Sequence, residues 1–298
     1  MDPNFLNTIV LPFSFVVIMF GMGLKLSTQD FVELFKKPKT TLIGVCCQIF
    51  LMPLLAFCLV KLFRLESNLA MGLMVVSLVP GAMTSNIMTQ FARGNVALSI
   101  ILTVIVTLLT PFTLPLMFSA ATNHFSGNNT GLNLPFINTA FSIVGVTVFP
   151  LLIALFSKNS FSNLAEKCEK PIRIFSIATI LLVVFGLLKE NSSVLTQYFT
   201  KIGLVCVLFN VLALWINYNV ATYANLAKRD AIAIAIECSF QNSAMALFIT
   251  GALMTVGGNA TIIPAIYSIT MFATGGGLIW YLSNIEKVKS PEKAKSTQ

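Results

Sequence analysis

ECSFQNSA, residues 237–244, puts one acid and two amides inside a stretch that is otherwise apolar enough to cross a membrane. Of the eleven acidic residues, Asp2, Asp30, Glu33, Glu66, Glu166, Glu169, Glu190, Asp230, Glu286 and Glu292 fall in termini or polar connections, which leaves Glu237 alone among apolar neighbours. A carboxylate at bilayer depth costs about 2.5–3.5 kcal/mol on insertion scales, so it faces a partner, a water-filled cavity or an ion. The rest of the chain has to supply that partner.

The composition agrees with a membrane setting. The chain has 298 residues, 56% hydrophobic and 10% charged, against about 25% charged in an ordinary soluble domain. Apolar runs of about 20 residues, the length that crosses about 30 Å of hydrocarbon, occur near 7–24, 40–60, 68–90, 95–121, 134–156, 171–188, 199–223, 230–252 and 260–283. The expectation is an all-α integral membrane protein with about nine transmembrane helices and its termini on opposite sides. MDPNFLNT lacks the basic segment of a cleavable signal peptide. The six cysteines lie mostly within apolar runs and read as small hydrophobes.

Lys and Arg set the orientation. With the N-terminus outside, only Lys61, Arg64, Lys189 and Lys201 of the 19 basic residues lie on the outer side. The positive-inside rule therefore places the N-terminus outside and the C-terminus in the cytoplasm. The net charge of +8 reports this topology, and nothing calls for nucleic acid or an obligatory protein partner beyond the lipid bilayer.

Two spans are interrupted. The third contains SLVPGAMTSNIMTQFARGN, where Pro80 removes a backbone donor and Thr84, Ser85 and Asn86 add polar groups; the eighth contains ECSFQNSA. Such breaks are tolerated only where the freed backbone is buried in protein or lines a cavity. The two are five spans apart, an odd offset that reverses the direction of crossing, as in an inverted repeat. The chain then reads as one transporter domain with a first repeat of about 1–121, missing its opening helix, a second of about 134–284, and a polar cytoplasmic tail over 285–298. Paired broken helices in corresponding positions point to a substrate site at the midplane.

The residue types at the two breaks suit a small hard cation. Carboxylate, amide, hydroxyl and carbonyl oxygens are hard donors, and one buried Glu is neutralised by a monovalent cation or a proton. Ser99 and Thr103, four apart, share a helix face and with Ser85, Asn86 and Glu237 can form one cage. Gln48, Gln241 and the carbonyls of Cys238 and Phe240 can complete a second with Glu237. Half-helix N-termini aimed at the midplane favour an anion, with Thr84 and Asn242 beside it and Met83 at the crossing. Asn210, Asn217 and Asn219 read as packing or lumen-lining residues. His124, the one histidine, lies in the outer stretch ATNHFSGNN, so no histidine is at hand for a catalytic set. No catalytic residues are expected, and the chain reads as a non-enzyme.

MFGMGLKLS, GVCCQIFLMPLLAF, PGAMTSNIMTQFARGNVALS and ECSFQN resemble the bile acid:sodium symporter family in its bacterial branch, over nearly the whole chain. ARGNVALS and the ExxxQN pattern carry the resemblance most specifically. It implies a core domain containing two crossing broken helices and a panel domain against which the core moves. It also implies one sodium site at Ser85, Asn86, Ser99, Thr103 and Glu237 and another at Gln48, Glu237, Gln241 and the Cys238 and Phe240 carbonyls, two ions in all. Three positions depart from the usual pattern: Ala82 and Ser239 stand where glycines are common, and Met83 where a smaller or polar residue is common. The function expected is sodium-coupled symport of a small organic anion, such as a bile acid or a pantoate-like carboxylate, by alternating access in a bacterial inner membrane. Proton coupling through Glu237 on the same fold and a non-transporting anion sensor remain the alternatives.

Overall fold

The computed structural model describes residues 9–25, 37–125, 135–160, 171, 174–175, 178, 192–254, 259–277 and 279. Among these the chain is helical, with a single isolated bridge in place of any strand. The sixth expected span and the 285–298 tail lie almost wholly outside the described residues.

In chain order the helices are α1 (Leu11–Lys25), α2 (Pro38–Phe63), α3 (Ser67–Leu78), α4 (Met83–Phe91), α5 (Val96–Phe125) and α6 (Phe136–Ser157), then α7 (Ser192–Tyr223), α8 (Lys228–Ser239), α9 (Ser243–Leu253) and α10 (Ile262–Met271). α2, α5, α6 and the Thr200–Tyr223 part of α7 are each long and apolar enough to cross a membrane unbroken. α3 with α4, and α8 with α9, are the two interrupted spans.

The first interruption is written into the local sequence. Val79 precedes Pro80 and is extended at φ −79°, ψ 157°, because the proline ring disfavours helical geometry in the residue before it. The second contains no proline. Phe240 leaves the helix at φ −94°, ψ 75°, and partners elsewhere in the fold hold it there.

Two of the unbroken spans contain a widened π turn, Cys47–Leu51 in α2 and Val144–Val148 in α6. Each ends two residues before a proline, Pro53 or Pro150. A helical proline has no N–H and its ring crowds the carbonyl four residues back, and a π turn relieves both problems. π turns gather at functional sites, and the one in α2 carries Gln48 inward, where it is buried.

Three tight connections, after α2, α4 and α7, turn on Arg64, Arg93 and Asn225, each with φ between 50° and 59°. In each the next N–H reaches back to a carbonyl five residues earlier: Leu65 to Val60, Gly94 to Thr89 and Leu226 to Ala221. These left-handed caps satisfy helix-end carbonyls that lipid cannot.

α1 lies along α6 so closely that a Cβ on Gly23 would stand 2.4 Å from the Leu151 carbonyl oxygen. This pair meets the remaining helices through a stack of Phe15 on Phe248, centroids 5.4 Å apart and planes at 11°, and through Val104 against Leu151. The other helices share one continuous apolar core, which Phe15, Ile18, Met19 and Met22 of α1 and Ile143 of α6 join.

Asp230 departs from the expectation of a polar connection. It sits in the first turn of α8, buried, and accepts hydrogen bonds from Lys37 Nζ at 3.0 Å and Asn95 Nδ2 at 2.7 Å. The Asn95 N–H also donates to the Arg229 carbonyl at 2.9 Å. The start of α8 is thereby tied to the starts of α2 and α5.

Candidate functional site

The two interruptions meet. Ala82 N–H donates to the Phe240 carbonyl at 2.6 Å, and Asn242 N–H donates to the Pro80 carbonyl at 2.8 Å, an antiparallel bridge centred on Gly81 and Gln241. Backbone groups freed from two helices thus satisfy one another where no water is at hand.

Glu237, 1% exposed, lies against this crossing. Its Oε2 accepts hydrogen bonds from Ser85 Oγ at 2.6 Å and Ser99 Oγ at 2.7 Å, and its Oε1 accepts one from Thr103 Oγ1. The carboxylate therefore joins α8 to α4 and α5. Gly81 makes the approach possible: a Cβ there would stand 2.1 Å from Glu237 Oε1 and 2.9 Å from its carbonyl oxygen.

Four of the five residues expected at the first cation site are in direct contact. The fifth, Asn86, is one residue from Ser85 on α4, and its Oδ1 is buried without a hydrogen-bond partner among the described residues. The Thr84 hydroxyl is in the same condition. A buried polar atom without a partner costs about 1–3 kcal/mol, and an oxygen left so is free to accept a cation.

The second set gathers around an amide pair. Gln48 Nε2 donates to Gln241 Oε1 at 3.1 Å and Gln241 Nε2 donates back to Gln48 Oε1 at 3.3 Å. Gln48 Nε2 also reaches the Val79 carbonyl at 2.9 Å, and Gln241 Nε2 the Cys238 carbonyl at 2.5 Å. Three of the five groups expected there, Gln48, Gln241 and the Cys238 carbonyl, are thus in direct contact, while the Phe240 carbonyl accepts from Ala82 and Glu237 from the hydroxyls of α4 and α5.

Among the expected substrate residues, Asn242 has a structural duty: its Oδ1 accepts from Met245 N–H at 3.1 Å and caps α9. Met83 opens α4 half-buried against the core. The unusual Ser239 adds no free group, because its hydroxyl turns back onto the Ile236 carbonyl at 3.1 Å. Ala82 is the residue that caps α4, with no side-chain bond to its first turn.

Sequence reasoning missed what stands behind the second break. Tyr267 Oη donates to the Ser239 carbonyl at 2.5 Å, and Asn210 Nδ2 donates to that carbonyl at 2.9 Å. Asn217 instead bonds its own helix at Ala213 and the Met52 sulfur, and Asn219 bonds Trp215. Among the described residues no group of three or more His, Cys, Asp and Glu side chains gathers. Cys46, Cys47, Cys58, Cys206 and Cys238 are free thiols.

Comparison with known proteins gives this geometry its context. The profile of the Sodium Bile acid symporter family matches residues 12–198. The "Uncharacterized sodium-dependent transporter YocS" of Bacillus subtilis is 32% identical over 92% of this chain and 83% of its own. The human "Ileal sodium/bile acid cotransporter" is 25% identical over 96% of this chain and 82% of its own. A rice protein, "Probable sodium/metabolite cotransporter BASS2, chloroplastic", is 25% identical over 88% of this chain, which spans only 61% of that relative. These relatives bear the names of transporters, not enzymes, and this chain is a multi-pass, sodium-dependent membrane transporter. It belongs to the sodium bile acid symporter family.

Proposed function

We propose that the chain is a symporter that couples the entry of two sodium ions to uptake of one small organic anion, across a cell membrane, with its N-terminus outside. The observation that carries the reading is Glu237: a buried acid at the crossing, ringed by the hydroxyls of Ser85, Ser99 and Thr103. One sodium takes Ser85, Asn86, Ser99, Thr103 and Glu237. The other takes Glu237, Gln48, Gln241 and the carbonyls of Cys238 and Phe240, exchanging the reciprocal Gln48–Gln241 bonds for cation contacts. Hard oxygens and a single formal charge suit monovalent sodium better than a divalent or softer metal.

The anion meets the first turns of α4 and α9, whose N–H groups and partial positive charge favour a carboxylate or sulfonate. Met83, Thr84 and Asn242 stand at that approach. The relatives' names include a bile acid cotransporter and sodium/metabolite cotransporters, so bile acids and smaller carboxylates are the classes to try. With two sodium ions per monoanion, one net charge enters per cycle, worth about 2.3 kcal/mol per 100 mV.

Proteoliposomes loaded with choline and diluted into sodium test the reading, with a labelled bile acid and a pantoate-like carboxylate as probes. Uptake of either that needs the sodium gradient and rises with an inside-negative potential is expected. Uptake that is equal in choline refutes sodium coupling.

A second reading, with a proton in place of sodium on Glu237, rests on one observation. Thr103 Oγ1 lies within reach of the Ser99 carbonyl at 3.0 Å as well as of Glu237. Its single proton serves one of them at a time, so a protonated Glu237 can donate to Thr103. Uptake driven by a pH gradient in sodium-free medium would favour this reading.

A further inference from the structure

We propose that Asn210, Tyr267 and Thr274 are positioning residues for the second sodium site, setting its geometry by holding the Ser239 carbonyl from behind the break. The inference rests on the two-sodium reading given above.

The three side chains form a closed network. Asn210 Nδ2 donates to the Ser239 carbonyl at 2.9 Å and to Tyr267 Oη at 3.1 Å. Its Oδ1 accepts from Thr274 Oγ1 at 2.7 Å. Tyr267 Oη spends its own proton on the Ser239 carbonyl at 2.5 Å. Asn210, Tyr267 and Ser239 are fully buried. Both amide hydrogens and the phenol proton are committed, and the Thr274 hydroxyl, 2.7 Å from Asn210 Oδ1, lies equally close to the Thr270 carbonyl of its own helix. Fully satisfied buried networks specify a unique local geometry.

What they hold decides their role. Ser239 lies between Cys238 and Phe240, the two residues whose carbonyls are assigned to the second cation. Those carbonyls face the other way: Cys238 toward the Gln241 amide and Phe240 toward the Ala82 N–H. The second break contains no proline or glycine to hold its shape. Instead, α7 and α10 grip its middle carbonyl while the first break grips the next one. The π turn Phe272–Gly276 that continues α10 also seats the Phe240 ring: a Cβ on Gly275, beside Thr274, would stand 2.7 Å from it, and Phe272 packs against it at 5.8 Å. Release of the Ser239 carbonyl frees the peptides on either side to turn away from Gln48 and Gln241. Among the described residues the hydroxyls of Ser85, Ser99 and Thr103 make no hydrogen bond to these groups.

Thermal unfolding of detergent-solubilised protein, titrated with sodium chloride at constant total salt against choline chloride, tests the proposal with Tyr267→Phe, Thr274→Val and Thr274→Ser. The midpoint for sodium-dependent stabilisation should rise about 5- to 20-fold in Tyr267→Phe and Thr274→Val. The steepness of the titration should fall from cooperative toward that of a single ion. Thr274→Ser, which keeps the hydroxyl, should restore both, and Thr274→Val carries the test if Tyr267→Phe does not fold. Variants that lose thermal stability equally in sodium and choline, with the wild-type sodium midpoint and steepness, have lost only packing, and that result overturns the proposal. A wild-type protein that sodium does not stabilise at all overturns the two-sodium reading, and this inference with it.

Discussion

Replacing Gly81 with alanine should break the site without substituting any residue proposed to hold an ion. Gly81 is not in the left-handed region, so its backbone accepts a side chain and the effect is purely steric. The added Cβ would stand 2.1 Å from Glu237 Oε1, 2.5 Å from its Cδ and 2.9 Å from its main-chain oxygen, whereas ordinary contact begins at 3.4 Å. The carboxylate oxygen has to retreat by some 1.3 Å, and the main-chain oxygen by about 0.5 Å. A shift of that size takes Oε1 away from Thr103. Overpacking costs about 1–3 kcal/mol, and a lost hydrogen bond to a charged group about 1.5–3 kcal/mol. Reduced freedom of the unfolded chain returns about 0.4–1 kcal/mol. The balance is a loss of about 2–5 kcal/mol, read as an apparent Tm lower by several degrees, with sodium stabilisation weakened at least tenfold. In a Glu237→Ala background the same substitution should cost far less, because its main obstacle is gone, and the coupling between the two should exceed about 1 kcal/mol. Additive effects, or a Gly81→Ala protein with wild-type Tm and sodium midpoint, would refute the close approach of the two breaks.

Three further outcomes follow from single contacts. Asn86→Ala removes an oxygen that has no partner, so stability in choline should be unchanged or slightly higher while the sodium midpoint rises several-fold; a matching loss in both salts would mean a packing role. Gln48→Ala strips Gln241 and the Val79 carbonyl of a partner, costing about 1–3 kcal/mol and weakening sodium stabilisation, as thermal titration would show. Asp230→Asn keeps an acceptor for Asn95 but loses the charge facing Lys37, which is 54% exposed. Screening at so open a partner limits the loss to about 1 kcal/mol, and raising the salt should narrow the Tm gap to wild type.

Most of the cluster around Glu237 could be read from the sequence because its members announce themselves. Glu237 is an acid among apolar residues, Ser99 and Thr103 share a helix face, and Pro80 marks a break. The second break was legible only by its polar side chains, since no residue in SFQN forces a helix to end. Tyr267 and Asn210 hold it from spans whose sequence looks like ordinary packing. Asp230 was misplaced for a related reason: at the edge of an apolar run a carboxylate looks solvated, and only the fold shows Lys37 and Asn95 arriving to cover it. The turn that presents Gln48 was likewise hidden, although Pro53 five residues later was its signal.

The reading that sodium sits on Glu237 is tested most directly by the sodium-dependent Tm of the wild type beside Glu237→Gln, which keeps the shape and removes the charge. The wild type should gain stability with sodium as RT ln(1 + [L]/Kd). The variant should be indifferent to sodium and at least as stable as wild type in choline, having no uncompensated buried charge. A Glu237→Gln protein that titrates with sodium as the wild type does would contradict the account.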